Sequence, residues 1–180
     1  SDYSSAQVFD VNTGEQVASF RTRLWESQYA EAIWALGAWF NWAYIVPEVQ
    51  GGYGRAMLDR LILAVTEPIT RPAYPLERIY NRRDETIPSK PRYEDLGWQT
   101  NGTTKPQLIA ALSAAFYEGS IFVYDPVTLQ ELRTFVKKGI KMEASTGRHD
   151  DTVISLALAV IGIGRAPRQQ WRTERDQPKA

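Results

Sequence analysis

The hydrophobic pattern opens with alternating positions that predict a β-hairpin followed by a helix. Strand-like runs at 6–10 and 15–23 flank Asn12-Thr13-Gly14, which is typical of a tight turn. From Trp25 to Trp42, apolar residues recur at intervals of three and four, as they do on the buried face of a helix. The chain begins almost directly on its first strand, and we expect it to be part of a larger protein.

A short apolar run, Ala43-Tyr44-Ile45-Val46-Pro47, predicts the next strand. Because it follows a crossover helix, we expect it to be parallel and central in a sheet. Glu48 ends this strand, and a glycine turn at 49–54 leads into a helix over about 55–64. Folds of the α/β class place sites at such strand ends, although an exposed strand-end Glu fits the position equally well. No Gly-Lys-Ser/Thr follows the glycines, so they do not form a phosphate loop.

The second half of the chain repeats the alternation of helix and strand. The pattern predicts a helix over 106–118 capped by Thr103 or Thr104, a strand over 121–124, and a helix from Pro126 to about 135 opened by Asp125. In the last of these helices we expect Glu131 and Arg133 to be solvated. The segment 136–146 is polar and is predicted to be irregular.

The last predicted helix begins at His149-Asp150-Asp151 and continues as an almost entirely apolar run to Val160. Acids in a first helical turn complement the helix dipole, and Asp is a good N-cap, which is the simplest explanation of the pair. A helix this apolar is expected to be buried, however, so its acids would open into the interior or a cleft. Adjacent buried carboxylates are costly unless a cation joins them.

The order of elements predicts an α/β fold with an antiparallel hairpin edge and parallel interior strands. Residues 1–164 are expected to form one domain, since 180 residues suffice for a single full core. Residues 165–180 carry five basic and two acidic residues and few apolar ones, and we expect a basic, mobile tail.

Composition narrows the possible chemistry. With 21 basic and 21 acidic residues, net charge indicates neither a nucleic acid nor a membrane partner. The absence of Cys excludes thiolate chemistry, and a single His excludes a multi-His metal site. A metal would therefore be held by carboxylates, which favours Mg²⁺, Mn²⁺ or Ca²⁺. No apolar run is long enough to span a bilayer, and we expect a soluble, intracellular protein without a membrane partner.

Separated acids and a local basic stretch are the candidate site residues. Asp2, Glu48 and the Asp150-Asp151 pair fit a carboxylate site for two divalent metals, although their spacing alone is weak support. Residues 78–92 contain five basic and two acidic residues and are expected to form a strand or hairpin pair. Such a stretch can bind phosphates or can be an ordinary solvated hairpin.

Several of these motifs together resemble the ribonuclease-H-like nuclease domain of tailed-phage terminase large subunits. The resemblance rests on Tyr44 to Glu48 with its glycine turn, the polar run Gly97 to Lys105, Glu131 to Phe135, His149-Asp150-Asp151 with Ser155 to Ala159, and Asp2-Tyr3-Ser4 followed by Asn12-Thr13-Gly14. It covers roughly Asp2 to Val160. Each motif is loose alone, but their occurrence in the family's order is fairly specific.

The resemblance implies a central mixed sheet flanked by helices, and an endonuclease that cuts concatemeric double-stranded viral DNA. Glu48 and Asp151 would coordinate Mg²⁺ or Mn²⁺, with Asp150 as a second ligand or the helix cap. Asp2 matches an accessory acid of the family. The family's first strand, with its metal-binding Asp, has no counterpart here, so the chain departs from the pattern at a principal ligand and its activity alone is in question.

The resemblance also suggests the surroundings of the site. The candidate DNA-backbone contacts are Arg82, Arg83, Lys90, Arg92 and Lys105. His149 is either a residue near the metals or an ordinary loop histidine. The implied partners are the ATPase domain of the same protein, the portal and the small terminase subunit, in the cytoplasm of an infected bacterium.

Two alternatives remain open from the sequence. Another ribonuclease-H-like nuclease, such as a junction resolvase or an integrase core, would use the same acids on a different nucleic acid. A DNA-binding or docking module would carry the acids for structure alone, and the missing first-strand Asp supports this second alternative.

Overall fold

A computed structural model describes residues 3–66, 70–83, 92–138, 141–144 and 151–167. The helices and strands of this part, in chain order, are β1 Ser4–Phe9, β2 Gln16–Thr22, α1 Glu26–Trp39, α2 Gly51–Ile62, α3 Thr104–Tyr117, α4 Pro126–Thr134, β3 Phe135–Lys138, β4 Lys141–Ala144 and α5 Asp151–Arg165, with short 3-10 helices at Leu76–Arg78 and Tyr93–Asp95. The architecture is mixed α/β, as predicted. None of the described helices combines the length and the apolar character needed to cross a membrane.

The predicted hairpin is confirmed. β1 and β2 pair antiparallel from Ser4 opposite Thr22 to Phe9 opposite Gln16. The turn closes where the N–H of Gly14 donates to the carbonyl of Asp10 at 2.8 Å. Gly14 has a φ of +72°, and a Cβ there would overlap with the carbonyl of Ser120, so the turn requires glycine.

The helices α1 and α2 pack together over one of two buried clusters. Tyr29, Ala30 and Ile33 of α1 meet Leu58 and Leu61 of α2. These positions follow helical spacing, which is why both amphipathic segments become helices against each other. Complete burial of each leucine contributes about 2 kcal/mol.

The second cluster lies between α3 and α5. Leu108 and Leu112 of α3 contact Val153, Leu156 and Ala157 of α5. The prediction that the last helix is buried is therefore confirmed. α5 also packs on β1, where the Oγ atoms of Ser5 and Ser155 lie 2.9 Å apart.

The predicted central strand forms only isolated pairings among the described residues. Ile45 pairs with Ile79, and Glu48 with Trp98, both in parallel orientation. The predicted strand at 121–124 likewise provides one parallel bridge, between Phe122 and Glu15. The parallel orientation was predicted correctly, but a continuous central sheet is not confirmed. The described residues contain two separate two-stranded antiparallel sheets, β1–β2 and β3–β4.

Several predicted boundaries and environments were wrong. The segment expected to be irregular at 136–146 contains β3 and β4. α2 begins at Gly51, so the glycines lie in the helix rather than in a preceding turn. Neither Thr103 nor Thr104 caps α3 with its side chain. Instead, Asn101 Oδ1 accepts from the N–H groups of Thr103 and Thr104, at 2.9 and 3.0 Å.

The stretch at 78–92 was predicted to form a strand or hairpin pair. Its described parts contain the end of the 3-10 helix at Arg78 and isolated bridges at Ile79 and Asn81. Residues 84–91 lie outside the described residues, as does the predicted tail from residue 168 onward. α5 extends to Arg165. The most important correction concerns Glu131. We expected this residue to be solvated, but its exposed fraction is only 8%.

Candidate functional site

A cleft of about 1810 Å³ separates β1 from the segment 43–48. Its faces are apolar and come from three helices: Ile33 and Leu36 of α1, Met57 of α2, and Leu158 and Gly162 of α5. α5 reaches both sides of the gap, since it contacts β1 through Ser155, and a Cβ on Gly162 would lie 3.1 Å from Val46 Cγ2. The cleft is therefore a gap between two extended segments, covered by helices on both faces.

Alternate residues of the segment 43–49 differ in their backbone hydrogen bonding. Ile45 and Val49 donate to the carbonyls of Arg78 and Trp98, at 2.7 and 2.8 Å, and Pro47 accepts from Trp98 at 2.7 Å. The intervening residues Val46 and Glu48 line the cleft, and their N–H groups make no backbone hydrogen bond within the described part of the chain. Since backbone groups in a strand alternate in direction, these groups face the gap.

Glu48 lies half-buried on the wall of the cleft. Its parallel pairing with Trp98 fixes one side, and α2 begins three residues later. Gly54 in α2 approaches so closely that a Cβ there would overlap with the Glu48 carbonyl. Glycine at position 54 thus allows α2 to pack directly against the backbone of Glu48.

Asp151 is the first residue of α5 and lines the same cleft. Its Oδ2 accepts a hydrogen bond from the N–H of Tyr3 at 3.3 Å. An acidic side chain at this position complements the positive end of the helix dipole. Ser4, which follows Tyr3 in the chain, donates from its Oγ to the Tyr53 hydroxyl at 2.8 Å. Tyr53 belongs to α2, the helix that follows Glu48. The start of β1 therefore connects the surroundings of the two acids.

Tyr29 of α1 provides a further hydrogen bond to the start of β1. Its hydroxyl donates to the carbonyl of Ser5 at 2.8 Å and lines the cleft. Burial, and secondarily the nearby Tyr53, raise the pKa of Tyr29 well above its ordinary value. The hydroxyl consequently remains a protonated donor at neutral pH.

The remaining acidic and histidine candidates are not brought together by the described residues. Asp2, His149 and Asp150 lie outside them. Asp10 also lines the cleft, but it follows the far end of β1 and accepts from the N–H of Asn12. Within the described part of the chain, no group of three or more His, Cys, Asp and Glu side chains could hold a metal ion. Glu48 and Asp151 offer hard oxygen donors of the kind that Mg²⁺ prefers, but they are too few for a complete site.

The predicted basic residues occupy different environments. Arg83 forms an ion pair with Asp95 at 2.5 Å, and Arg82 donates to Gln99 at 2.7 Å and to a backbone carbonyl. Lys105 lines the cleft, and Arg92 is exposed. Lys90 lies outside the described residues.

Sequence reasoning missed two arginines at the end of β2, next to the start of β1. The guanidinium carbons of Arg21 and Arg23 lie 3.6 and 4.0 Å from the ring centroid of Tyr3. This arrangement places two cations beside the residue whose N–H contacts Asp151. No signal in the sequence links Tyr3 to β2 beyond the hairpin register, which sets Ser4 opposite Thr22.

Comparison with known proteins identifies the fold. No family model matches the chain. The chain is similar to the large terminase nuclease from thermophilic phage G20c with bound magnesium, with 25% identity, a TM-score of 0.62, and coverage of 89% of this chain and 74% of that one. The structure of that nuclease with bound cobalt gives 24% identity, a TM-score of 0.64 and the same coverage. The resemblance to phage terminase nuclease domains that the motifs indicate is confirmed, as is a mixed α/β fold of that type.

Proposed function

We propose that the chain is the metal-dependent endonuclease domain of a viral DNA-packaging terminase and cuts concatemeric double-stranded DNA. One observation carries this proposal: Glu48 and Asp151 line the same cleft in a fold shared with large terminase nucleases. The nuclease from phage G20c has been crystallised with magnesium and with cobalt, which supports a divalent metal as the cofactor here.

Glu48 and Asp151 would hold Mg²⁺ or Mn²⁺ in a site for two metals. When bound, the metals supply an activated water and stabilise the oxygens of an in-line phosphoryl displacement. The contribution of the chain is to fix the two carboxylates, through the pairing of Glu48 with Trp98 and the contact of Asp151 with Tyr3. Asp150 and Asp2 are proposed as further ligands, and His149 as a residue close to the metals.

The shape of the cleft supports a further extended segment between β1 and 43–48. The apolar faces would accept the alternating side chains of a strand, and the N–H groups of Val46 and Glu48 would find partners on it. An acid on that segment, beside Glu48 and Asp151, would correspond to the metal-binding Asp of the first strand that the resemblance implies. The carboxylate set would then be large enough for two metals.

Lys105 at the cleft and the exposed Arg92 are the proposed contacts to the DNA backbone, together with Lys90. Arg82 and Arg83 would have to exchange their present partners for phosphates. Such contacts carry little base specificity. The proposed partners are the ATPase domain of the same protein, the portal and the small terminase subunit, in the cytoplasm of the infected host.

The test is Mn²⁺-dependent nicking of supercoiled plasmid together with Mn²⁺ binding measured by electron paramagnetic resonance. Glu48→Gln and Asp151→Asn remove one ligand charge each and are expected to reduce nicking about 100-fold or more, since a metal ligand contributes several kcal/mol. Glu118→Gln, at an exposed position after α3, is the matched control and should nick at the wild-type rate.

Unchanged nicking and unchanged Mn²⁺ binding in both cleft variants would refute the nuclease proposal and favour a docking module. Preferential cutting of four-way junctions over linear duplex would instead favour a resolvase. The nicking, metal-binding and junction-cutting assays can all be run on the same variants, so one set of proteins distinguishes the three functions.

A further inference from the structure

Glu131 carries a buried carboxylate whose two oxygens contact different elements. It lies in α4, and its Oε2 accepts from the N–H of Thr152 at 2.9 Å and from the Thr152 hydroxyl at 2.6 Å. Its Oε1 lies 3.3 Å from Nη2 of Arg21 on β2. Burying a carboxylate is costly unless hydrogen bonds and a cation compensate, and Glu131 has both.

These contacts close a ring that contains Asp151. Thr152 follows Asp151 directly, and Arg21 lies over the ring of Tyr3. The N–H of Tyr3 donates to Asp151 Oδ2 at 3.3 Å. Glu131 thus reaches Asp151 by two routes, one through the first turn of α5 and the other through Arg21 and Tyr3.

The first route supplies a hydrogen-bond acceptor to the first turn of α5. N–H groups in a first helical turn lack partners within the helix, and usually a side chain just before the helix accepts from them. At Thr152 this acceptor comes from a different helix. The start of α5 is therefore tied to α4, and the position of the Asp151 backbone depends on Glu131.

We propose that Glu131 is a positioning residue that sets the orientation of the Asp151 carboxylate for metal binding. This inference rests on the proposed function, because it assigns Asp151 to the metal. Groups that orient a metal ligand typically change metal affinity 10–100-fold when they are lost. Glu131 does not touch the metal or the DNA in this proposal and acts only through Thr152, Arg21 and Tyr3.

The experiment uses the full chain with Glu131→Gln, which keeps the size of the side chain and one acceptor but removes the charge. Arg133→Gln, an exposed position on the same helix, is the matched control. Two quantities are measured under conditions in which circular dichroism shows every variant folded: the Mn²⁺ dissociation constant and the hydrogen-exchange rate of the Tyr3 amide.

Glu131→Gln is expected to raise the Mn²⁺ dissociation constant by about 10-fold or more and to accelerate exchange at Tyr3. Arg133→Gln should change neither. A folded Glu131→Gln protein with wild-type Mn²⁺ affinity would overturn the positioning role, because a residue needed only for stability would lower the melting temperature and leave the affinity unchanged.

Asp151→Asn separates this inference from the proposed function. If Asp151→Asn leaves Mn²⁺ binding unchanged, Asp151 is not a metal ligand and the proposed function loses one of its acids. The link between Glu131 and the Asp151 region is then decided by the Tyr3 amide alone, and unchanged exchange in Glu131→Gln would overturn that link as well.

Discussion

Arg71 holds its guanidinium against the carboxylate of Glu31 in a two-point contact. Nη2 of Arg71 lies 3.0 Å from Glu31 Oε1, and Nε lies 2.5 Å from Oε2. Arg71 is buried, whereas the Glu31 side chain is 40% exposed. The remaining Arg71 donors reach backbone carbonyls, including those of Leu63 and Arg60. The contact attaches the segment after α2, which contains Arg71, to α1, which contains Glu31.

Glu31→Gln is expected to lower the free energy of unfolding by about 1–2 kcal/mol. The change leaves a buried guanidinium without its carboxylate, but the exposure of Glu31 keeps the loss below that of a fully buried pair. Urea unfolding measures the effect, with the exposed Glu77→Gln as the control. Equal stability of the two variants would show that the Arg71 carbonyl contacts suffice.

The same pair predicts a pH dependence. The hydrogen bond from Arg71 is the largest cause that lowers the pKa of Glu31, while partial burial opposes it. Because the folded pKa lies below the unfolded value of about 4.3, the stabilisation is complete above that value and is lost as the pH falls through the folded pKa. The difference between wild type and Glu31→Gln should therefore be larger at about pH 7 than at about pH 3.

Local pattern was sufficient to predict most of the elements. The hairpin follows from alternation around Asn12-Thr13-Gly14, and α4 begins at Pro126 with Asp125 accepting from Thr128 N–H at 2.7 Å. These features depend on neighbours in sequence, where turn and cap chemistry acts. β3 and β4 were missed although only two residues, Gly139-Ile140, separate them. Both strands contain lysine, which is depleted in β-strands, so the sequence pattern did not predict their pairing.

The environment of the site depends on distant contacts and was harder to predict. Glu131 follows the buried Thr128 by three residues, so its position on the packed face was available in the pattern, but its charge led to a solvated assignment. The partners Thr152 and Arg21 lie 21 and 110 positions away, a distance over which periodicity carries no information. The placement of Glu48 and Asp151 on one cleft followed from the family resemblance more than from spacing.

Tyr74→Phe is expected to destabilise the segment that carries Glu48. The buried Tyr74 hydroxyl donates to the carbonyl of Ala43 at 2.6 Å, and burial raises its pKa well above the ordinary value, so it remains protonated. Removing the hydroxyl leaves that carbonyl without this donor, which costs about 1–2 kcal/mol. Urea unfolding tests this, with Tyr117→Phe as the control because Tyr117 is 93% exposed. A loss no larger than that of the control would contradict the role of the hydroxyl.

Gly54→Ala and Gly52→Ala form a matched pair within α2. A Cβ at Gly54 would overlap with the Glu48 carbonyl, whereas one at Gly52 meets no atom within 4 Å. Gly52→Ala should stabilise the helix by up to about 1 kcal/mol, while Gly54→Ala should destabilise the protein by about 1–3 kcal/mol.

The pair also tests the site. Gly54→Ala should displace the Glu48 backbone and weaken Mn²⁺ binding, and Gly52→Ala should leave it unchanged. Thermal melting and Mn²⁺ titration on both variants give the two readouts. Wild-type Mn²⁺ affinity in a folded Gly54→Ala protein would show that the position of Glu48 is not set by this contact, or that Glu48 does not bind the metal.

Lys105 and Arg83 are expected to differ in their contribution to duplex binding. Arg83 forms an ion pair with Asp95, so the cost of leaving that carboxylate offsets any phosphate contact, whereas Lys105 lines the same cleft as Glu48 and Asp151. Each phosphate contact contributes about one unit to the dependence of log affinity on log salt. Lys105→Gln should therefore weaken binding of a linear duplex and reduce this slope by about 1, and Arg83→Gln should change both less. Fluorescence anisotropy over a salt series, with Ca²⁺ in place of Mn²⁺ to limit cleavage, provides both values. If Arg83→Gln gave the larger loss of slope, the DNA would follow the surface of residues 78–92 rather than the cleft.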